Sequence, residues 1–453
     1  MKDEKKNILD DDRIGHLLFK LSLPAFVGMF VMTLYNVVDT VFIGRFVGPL
    51  GIAGLSIVFP IQMLAMGIGH MMGIGGGSLI SIQIGARKID RAERTLGNAT
   101  TGIIVISLIL TILGLTKTDY ILKMMGASDT ILPYARDYLI VILLGLMFQS
   151  FGMALSALIR AEGNTRVPMA GMLMGAVLNI ILDAVFIIPF KMGIKGAALA
   201  TVISQMITFV YFMHYYFSGK SFLRFFLKNL IIEWSILRSI LAIGVSGFVM
   251  AVAGSVSALF VNRLCLLYGG DIAVSAFGII NRIVMFALIP GIVISQGLQP
   301  IVGYNYGAGH YGRILKAIAM ATVTATAFCI MAFIGLYFFP RIFIVVFTDD
   351  PELIATTTHA IKRVFAAAYL IGFIIIGSTV FQSIGKAAQA FVTSTARAIL
   401  FFIPLIFILP RFWQLEGLWI AFPCADALAF FLTLALFIRQ MRIFRLKGIQ
   451  AEK

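Results

Sequence analysis

Residues 51–82 read GIAGLSIVFPIQMLAMGIGHMMGIGGGSLISI and contain no Asp, Glu, Lys or Arg. A helix needs about 20 apolar residues to cross the hydrocarbon core of a bilayer, and this run exceeds that length. Similar runs precede and follow it, too long and too free of charge for buried helices of a soluble enzyme. Together they predict twelve spans, roughly 17–46, 51–82, 93–116, 131–158, 165–190, 194–217, 236–267, 272–302, 314–339, 353–384, 387–410 and 416–440.

The composition supports a membrane protein. Hydrophobic residues make up 60% of the 453-residue chain and charged residues 13%, whereas soluble domains have about 25% charged residues. The net charge of +15 is compatible with nucleic-acid binding, but the Lys and Arg residues stand in short clusters between apolar runs. This distribution is typical of cytoplasmic loops, so the predicted partner is the lipid bilayer and not nucleic acid.

The distribution of basic residues also predicts the topology. An even number of spans places both termini on one side, which carries 24 Lys and Arg residues against 11 on the other, with Arg282 in mid-segment. The excess marks the side of the termini as cytoplasmic. The stretch Met1–Asp12 lacks the basic, apolar and small-residue order of a cleaved signal peptide. We therefore expect a multi-pass protein of the inner (cell) membrane with both termini in the cytoplasm.

The chain repeats itself at a period near 220 residues. The matched pairs are Ile84–Arg87 with Tyr306–Gly309, Gly163 with Gly385, Pro189 with Pro410, and Gly28 with Gly247. The repeat predicts an all-α protein of two six-helix lobes in the same orientation, 1–217 and 236–453. Residues 218–235 would be an interfacial linker or an ordinary solvated loop. Parallel repeats enclose a central cavity that opens alternately to either side, so a monomer can contain the whole pathway.

Carboxylates in a membrane span cost a few kcal/mol each, and three stand out within the predicted spans: Asp39, Asp183 and Asp426. Asp39, Asp183 and Thr201 all lie roughly 10–12 Å below the outer surface at 1.5 Å per residue. Asn36 precedes Asp39 by three residues and Asn179 precedes Asp183 by four, so each amide shares a helix face with its carboxylate. These oxygens would form a cage suited to Na⁺ or a proton.

The second half of the chain is an internal control for this cage. The positions that match Asp39 and Asp183 fall near Ala258 and Leu405. Because one half lacks the carboxylates, a functional role is favoured over a role in folding each half; the alternative is that each Asp caps or bonds a neighbouring helix. Asp426 follows Pro423 and is equally compatible with satisfying a backbone group freed by that proline.

Methionine and aromatic side chains suit a cavity that accepts varied shapes. The candidate cavity residues are Met32, Tyr35, Met63, Met66, His70, Asn281, Arg282 and Asp426. Contact with lipid or core packing is the alternative for most methionines individually.

No pattern of enzyme chemistry is visible. The histidines are scattered, the three cysteines have no CxxC spacing, and the glycine run 73–77 lies in an apolar helix. Close helix packing or bending explains that run better than nucleotide binding. We therefore expect a protein that is not an enzyme and has no cofactor besides a coupling ion.

Several motifs resemble those of a known family. The run 36–44, NVVDTVFIG, resembles the first-span signature of the multidrug and toxic compound extrusion (MATE) family. Gly85-Ala86, the turn RAEGN at 160–164 and QGLQP at 296–300 resemble further elements of that family. The resemblance covers nearly the whole chain and implies a drug/cation antiporter of two six-helix lobes.

The resemblance also implies roles for particular residues. The cation site, for Na⁺ if a metal ion binds, would comprise Asp39, Asn179, Asp183 and Thr201, and Pro24 stands where some members have a proline linked to bending. Members with acidic residues in spans seven and ten bind the cation in the second lobe. This chain has none there, so it resembles the branch with a first-lobe site.

The predicted function is secondary active export of drugs or metabolites, amphipathic and often cationic, in exchange for Na⁺ or H⁺, by alternating access. A flippase of lipid-linked saccharides from the same superfamily is the alternative. It would need a basic cavity for pyrophosphate, and Arg282 is interpreted as the only clearly mid-span arginine, which disfavours it.

Overall fold

A computed structural model describes residues 8–451, except for the side chains of Asn36, Val37, Thr40, Val41, Pro49 and Ala451. Every regular element in this part of the chain is a helix. We number the long helices in chain order: α1 (Ile14–Phe46), α2 (Pro49–Gly85), α3 (Ile89–Thr116), α4 (Leu132–Ala161), α5 (Arg166–Ile187), α6 (Gly193–Phe217), α7 (234–269), α8 (271–308), α9 (Tyr311–Phe338), α10 (351–383), α11 (Ala387–Ile408) and α12 (Pro410–Ala451). Short helices occupy Thr118–Met124 and Pro340–Ile344, and 3₁₀ turns occupy Ile8–Asp10, Leu227–Leu230 and Ala368–Leu370.

These helices account for the twelve predicted spans. Ten helices of the described chain are long and apolar enough to cross a membrane. One of them, Trp234–Ala308, is divided into α7 and α8 at Gly270, whose φ of 63° favours glycine. This division gives eleven spans, and the twelfth is α10, in which Pro351–Val364 and Ala368–Ser383 meet at a bend of 46°. The predicted all-helical, twelve-span fold is therefore confirmed.

The chain forms two compact units. The first unit comprises residues 8–10 and 23–252 of the described chain. Its helices pack closely where glycines face neighbouring backbones: a Cβ added at Gly244 of α7 would lie 1.8 Å from the carbonyl oxygen of Met71 on α2. A Cβ at Gly75 would lie 2.0 Å from the carbonyl oxygen of Ile240. The interpretation of the glycine run 73–77 as a packing surface is confirmed.

The second unit comprises residues 11–22 and 253–451 of the described chain. Its core contains the fully buried Trp419 and Ile406 with many other apolar side chains. The segment before α1 is tied to the start of α9 by Arg313, which donates to Asp12 Oδ1 at 3.0 Å and to the carbonyl oxygen of Asp11 at 2.6 Å.

The boundaries of these units differ from those that the repeat predicts for the lobes. Helix α1 passes from the second unit to the first between Ser22 and Leu23, and α7 passes from the first to the second between Val252 and Ala253. Each compact unit therefore includes the N-terminal part of one helix that the repeat assigns to the other half. The division into lobes at 217 and 236 stays a prediction.

The segment 218–233 is packed against α3. Thr101 Oγ1 donates to the carbonyl oxygen of Leu230 at 2.7 Å, and Asn98 Oδ1 accepts from the N–H of Glu233 at 2.7 Å. Leu227 and Ile231 nevertheless leave 75% of their surface exposed. Exposed apolar side chains on a segment whose backbone is held in place favour the interfacial interpretation over a solvated loop.

Candidate functional site

Two carboxyl groups meet in the interior of the first unit. Asp39 on α1 is 9% exposed and Asp183 on α5 is fully buried. The two side chains lie close enough to interact electrostatically. Two carboxylates at this separation repel each other if both are charged in a dry site, so the pair requires a compensating positive charge or a shared proton.

Neutral oxygens of α5 and α6 adjoin the pair. Asn179 precedes Asp183 by one helical turn, is 2% exposed, and donates from Nδ2 to Thr201 Oγ1 at 3.3 Å. The amide oxygen of Asn179 is thereby left as an acceptor. The structure thus places four of the residues predicted for the cation site near one another: Asp39, Asn179, Asp183 and Thr201.

The acceptors of this site have no donors within the described part of the chain. Asp39 Oδ1, Asn179 Oδ1 and both carboxyl oxygens of Asp183 are buried and make no hydrogen bond there. Buried polar atoms in proteins are nearly always paired, because an unpaired one costs about 1–3 kcal/mol. A set made only of hard oxygen acceptors fits Na⁺ or a proton. No cluster of three His, Cys, Asp or Glu residues among the described residues forms another metal site. The side chain of Asn36 lies outside the described residues, so its role stays a prediction.

Two tyrosines lie beside the carboxyl pair. Tyr35, one turn before Asp39, is close enough to both carboxyl groups for electrostatic interaction. Tyr138 of α4 is 1% exposed, interacts electrostatically with Asp39, and accepts a hydrogen bond from Gln62 Nε2 at 3.2 Å. Sequence reasoning missed Tyr138 and Gln62. Tyr138 lies six residues from the outer end of α4, about 9 Å deep, so the same depth argument could have found it.

The predicted cavity residues fall in both units. Met32, Tyr35, Met63, Met66 and His70 are half-buried in the first unit. Asn281 and Asp426 both line one cavity in the second unit, whereas the exposed Arg282 is not among the residues that line it. The structure therefore places five of the predicted cavity residues in the first unit and the other three in the second.

Asp426 has a charged partner that the sequence did not reveal. Arg397 Nε donates to Asp426 Oδ1, and this carboxylate is 1% exposed while the arginine side chain is 34% exposed. Arg397 was counted on the cytoplasmic side, but it is the eleventh residue of α11. The interpretation of Arg282 as the only clearly mid-span arginine is therefore wrong.

Fold and site together define a class of protein: a polytopic helical membrane protein with a buried set of hard oxygen acceptors between its helices. The MatE family model matches this chain over residues 24–185 and 242–408. The chain belongs to the MatE family, and the predicted MATE membership is confirmed.

Relatives named as multidrug export proteins match over nearly their whole length. The chain is 28% identical over 436 residues to a multidrug export protein MepA of Staphylococcus haemolyticus, covering 96% of this chain and 95% of the relative. It is 27% identical over 421 residues to the protein of the same name from Staphylococcus aureus strain N315, covering 92% of each.

Solved structures show the same fold. A MATE multidrug transporter named DinF-BH, solved in a ligand complex, has a TM-score of 0.89 and 41% identity, covering 95% of this chain and 97% of that one. An outward-facing multidrug resistance MATE family transporter of the MOP superfamily has a TM-score of 0.90 at 23% identity, covering 97% and 98%, which supports the fold alone.

Proposed function

We propose that this protein is a multidrug efflux transporter of the cell membrane that exports amphipathic, often cationic compounds in exchange for Na⁺ or H⁺. The observation that carries the coupling part is the group of buried, donor-free oxygens on Asp39, Asn179 and Asp183. The relatives named multidrug export protein and multidrug transporter support efflux of drugs as the activity.

The carboxyl pair supplies a physical basis for coupling. Asp39 and Asp183 are held side by side by α1 and α5, so ionisation of both is costly unless a cation enters. Na⁺ would be held by the two carboxylates with the oxygens of Asn179 and Thr201, and H⁺ would be shared by the carboxyl pair. Entry and release of the cation change the charge of the first unit by one, which biases any equilibrium between two conformations that hold the pair differently.

Transport would proceed by alternating access of a single chain with both termini in the cytoplasm. Parallel internal repeats are one of the architectures that support such a cycle. The half-buried Met32, Tyr35, Met63, Met66 and His70 would offer an adaptable surface to the exported compound. Absence of a comparable carboxyl pair at Ala258 and Leu405 supports a first-lobe cation site.

A flippase of lipid-linked saccharides is the second candidate, and Arg397 is the observation in its favour. One arginine lines a second-unit cavity, where a pyrophosphate would need basic side chains. Its charge is already matched by Asp426. An uncompensated cluster of basic residues is what a pyrophosphate requires, so efflux is favoured.

Transport by purified protein in proteoliposomes tests the proposal. A Na⁺ gradient and a pH gradient are imposed separately, and movement of ethidium is followed by fluorescence. We expect one gradient to drive ethidium against its concentration, and Asp39→Asn to abolish this while the exposed Asp90→Asn does not. The proposal is wrong if neither gradient moves ethidium or any other compound of a broad panel of dyes and drugs.

A further inference from the structure

The second unit contains a cavity that the proposed coupling site does not use. Its volume is about 210 Å³, below the roughly 300–1,000 Å³ of sites for drug-sized molecules, so it suits a smaller ligand. Aromatic rings of Phe277, Phe365, Phe402 and Phe422 form much of its wall. Such a wall suits the apolar body of an amphipathic molecule.

The polar end of this cavity presents hydrogen-bond donors. Asp426 is 1% exposed and accepts from Arg397 Nε, whereas 34% of the Arg397 side chain is exposed. The two terminal nitrogens of Arg397 make no hydrogen bond within the described part of the chain. A guanidinium has five N–H donors in a planar fork, so one edge can hold Asp426 while the other binds a second oxygen pair.

The backbone around Arg397 is distorted in a way that is frequent at binding sites. Residues Ala396–Phe401 form a π-helical turn inside α11, and such turns are rare and concentrate at functional sites. Ser257 Oγ of α7 donates to the carbonyl oxygen of Ala398 in this turn at 3.5 Å. Ser257, Arg397 and Ala398 all line the cavity, so the turn and its support belong to the same wall.

We propose that the second-unit cavity binds an amphipathic anion, with its apolar body among the phenylalanine rings and its carboxylate or similar head on the free edge of Arg397. A cationic head group would be repelled by the guanidinium, whereas Asp426 is almost fully buried and already paired with Arg397. The Arg397–Asp426 pair carries no net charge, so the head group is selected by the direction of the donors. This inference does not rest on the cation-coupled export proposed above.

Direct binding to the full-length protein in nanodiscs of zwitterionic phosphatidylcholine tests the inference. The probes are 9-anthracenecarboxylate and the cation of 9-(aminomethyl)anthracene, which share one ring system and carry opposite charges. We expect the carboxylate to bind with a Kd at least 10-fold lower than that of the amine. Tighter binding of the amine, or equal binding of both probes, overturns the proposal.

Variants locate the binding to this cavity. Arg397→Gln should raise the Kd of the carboxylate by 10-fold or more, and Arg282→Gln, which changes an exposed neighbour of Asn281, should not change it. Because Arg397→Gln leaves Asp426 buried without its partner, the double variant Arg397→Gln with Asp426→Asn tests the same loss without an unpaired charge. Asp426→Asn alone should retain binding. Unchanged affinity in the folded double variant would show that the probe binds elsewhere.

A last arm distinguishes a soluble anion from a lipid head group. If phosphatidylglycerol in the nanodisc displaces the carboxylate probe from the parent protein, the result supports the site and shows that an anionic lipid can occupy it. Undiminished probe binding in those nanodiscs supports a soluble anion.

Discussion

At the scale of single residues, the acids of this chain differ in what surrounds them. Asp39 and Asp183 face each other with donor-free oxygens, whereas Asp426 is neutralised by Arg397. A buried acid with a guanidinium partner is charge-compensated within the protein. A buried pair of acids is not, and therefore responds to an added cation.

Asp39 and Asp183 should behave as one unit in transport. We expect Asp39→Asn and Asp183→Asn each to lower gradient-driven ethidium export by at least 10-fold, and the double variant to be little worse than either single one. Non-additivity of this kind marks residues that act together. The readout is initial export rate per amount of protein in the membrane. We expect Asp426→Asn to act mainly by lowering expression. Normal export by a well-expressed Asp39→Asn or Asp183→Asn variant would place the coupling site elsewhere, with Asp426 as the first candidate.

Glu162, which follows the C-terminal end of α4, should make stability depend on pH. It is 5% exposed, and its Oε2 accepts from Ser221 Oγ at 2.7 Å and from the N–H of Phe222 at 2.9 Å, while Oε1 has no partner in the described chain. Burial raises its pKa from 4.5 to about 7, although the hydrogen bonds from Ser221 and Phe222 act in the opposite direction.

The sign of the effect follows from proton binding. Between pH 4.5 and about 7 the folded protein holds a proton on Glu162 that the unfolded chain has released. The free energy of unfolding should fall on the order of 3 kcal/mol as pH rises through this range, at 1.36 kcal/mol per pKa unit, and level off above it. Thermal unfolding in detergent at several pH values measures this. Glu162→Gln should flatten the dependence of the free energy of unfolding on pH. The control Glu352→Gln changes an exposed carboxylate and should keep the steep dependence of the parent protein. An equally steep dependence in Glu162→Gln would contradict the assignment.

The candidate site could be predicted from sequence only where its residues lie in regular helices. Depth and helical spacing located Asp39, Asn179, Asp183 and Thr201, because rise per residue converts position in a straight helix into depth. The same reasoning failed for Arg397, since its partner Asp426 is 29 residues away and the count of basic residues assigned the arginine to the cytoplasmic side. Contacts between distant helices are set by packing, which a single sequence does not specify.

At the scale of helices, apolar length predicted all twelve spans, but the irregular turns within them were not foreseen. The bend in α10 follows Val364 in the run Phe365-Ala366-Ala367-Ala368, and the π turn occupies Ala396–Phe401. Neither segment contains glycine or proline. Such turns depend on neighbouring side chains and not on local propensity, so composition gives no sign of them.

Close packing of α2 and α7 should make Gly244 intolerant of a side chain. A Cβ there would lie 1.8 Å from a carbonyl oxygen of α2, whereas nothing lies within 4 Å of a Cβ added at Gly152 in α4. Gly244→Ala should destabilise the protein by about 1–3 kcal/mol through forced backbone movement. Gly152→Ala should be neutral or stabilising by up to about 1 kcal/mol, since alanine is the better helix former. Thermal unfolding of both variants tests this; equal stability would mean that α2 and α7 adjust without cost.

At the scale of the whole molecule, equivalent positions of the repeat carry different chemistry. Asp39 corresponds to Ala258, and the offset of 221 residues between Pro189 and Pro410 matches Thr201 with Phe422. Ala258 and Phe422 both line the second-unit cavity beside Arg397. Positions that carry a carboxylate and a hydroxyl in the first half thus carry alanine and phenylalanine in the second, so the halves are expected to bind different ligands.

Alternating access should require the outer ends of the two halves to separate. Val47 follows α1, and Leu267 stands near the end of α7 at the turn marked by Gly270; both are on the predicted outer side. Leu267 is 71% exposed, whereas a Cβ at Gly269 would lie 2.7 Å from Leu415. The test uses a background in which Cys265, Cys329 and Cys424 are changed to Ser. In this background the double variant Val47→Cys with Leu267→Cys should lose ethidium export when its two cysteines are bridged by bifunctional thiol reagents of graded length. Export should return when a bridge that contains a disulfide is reduced. Each single cysteine variant should export normally after the same treatment, because it cannot be bridged within the molecule. Full export by completely cross-linked protein would rule out opening at this mouth and leave the cation site without the conformational change that coupling needs.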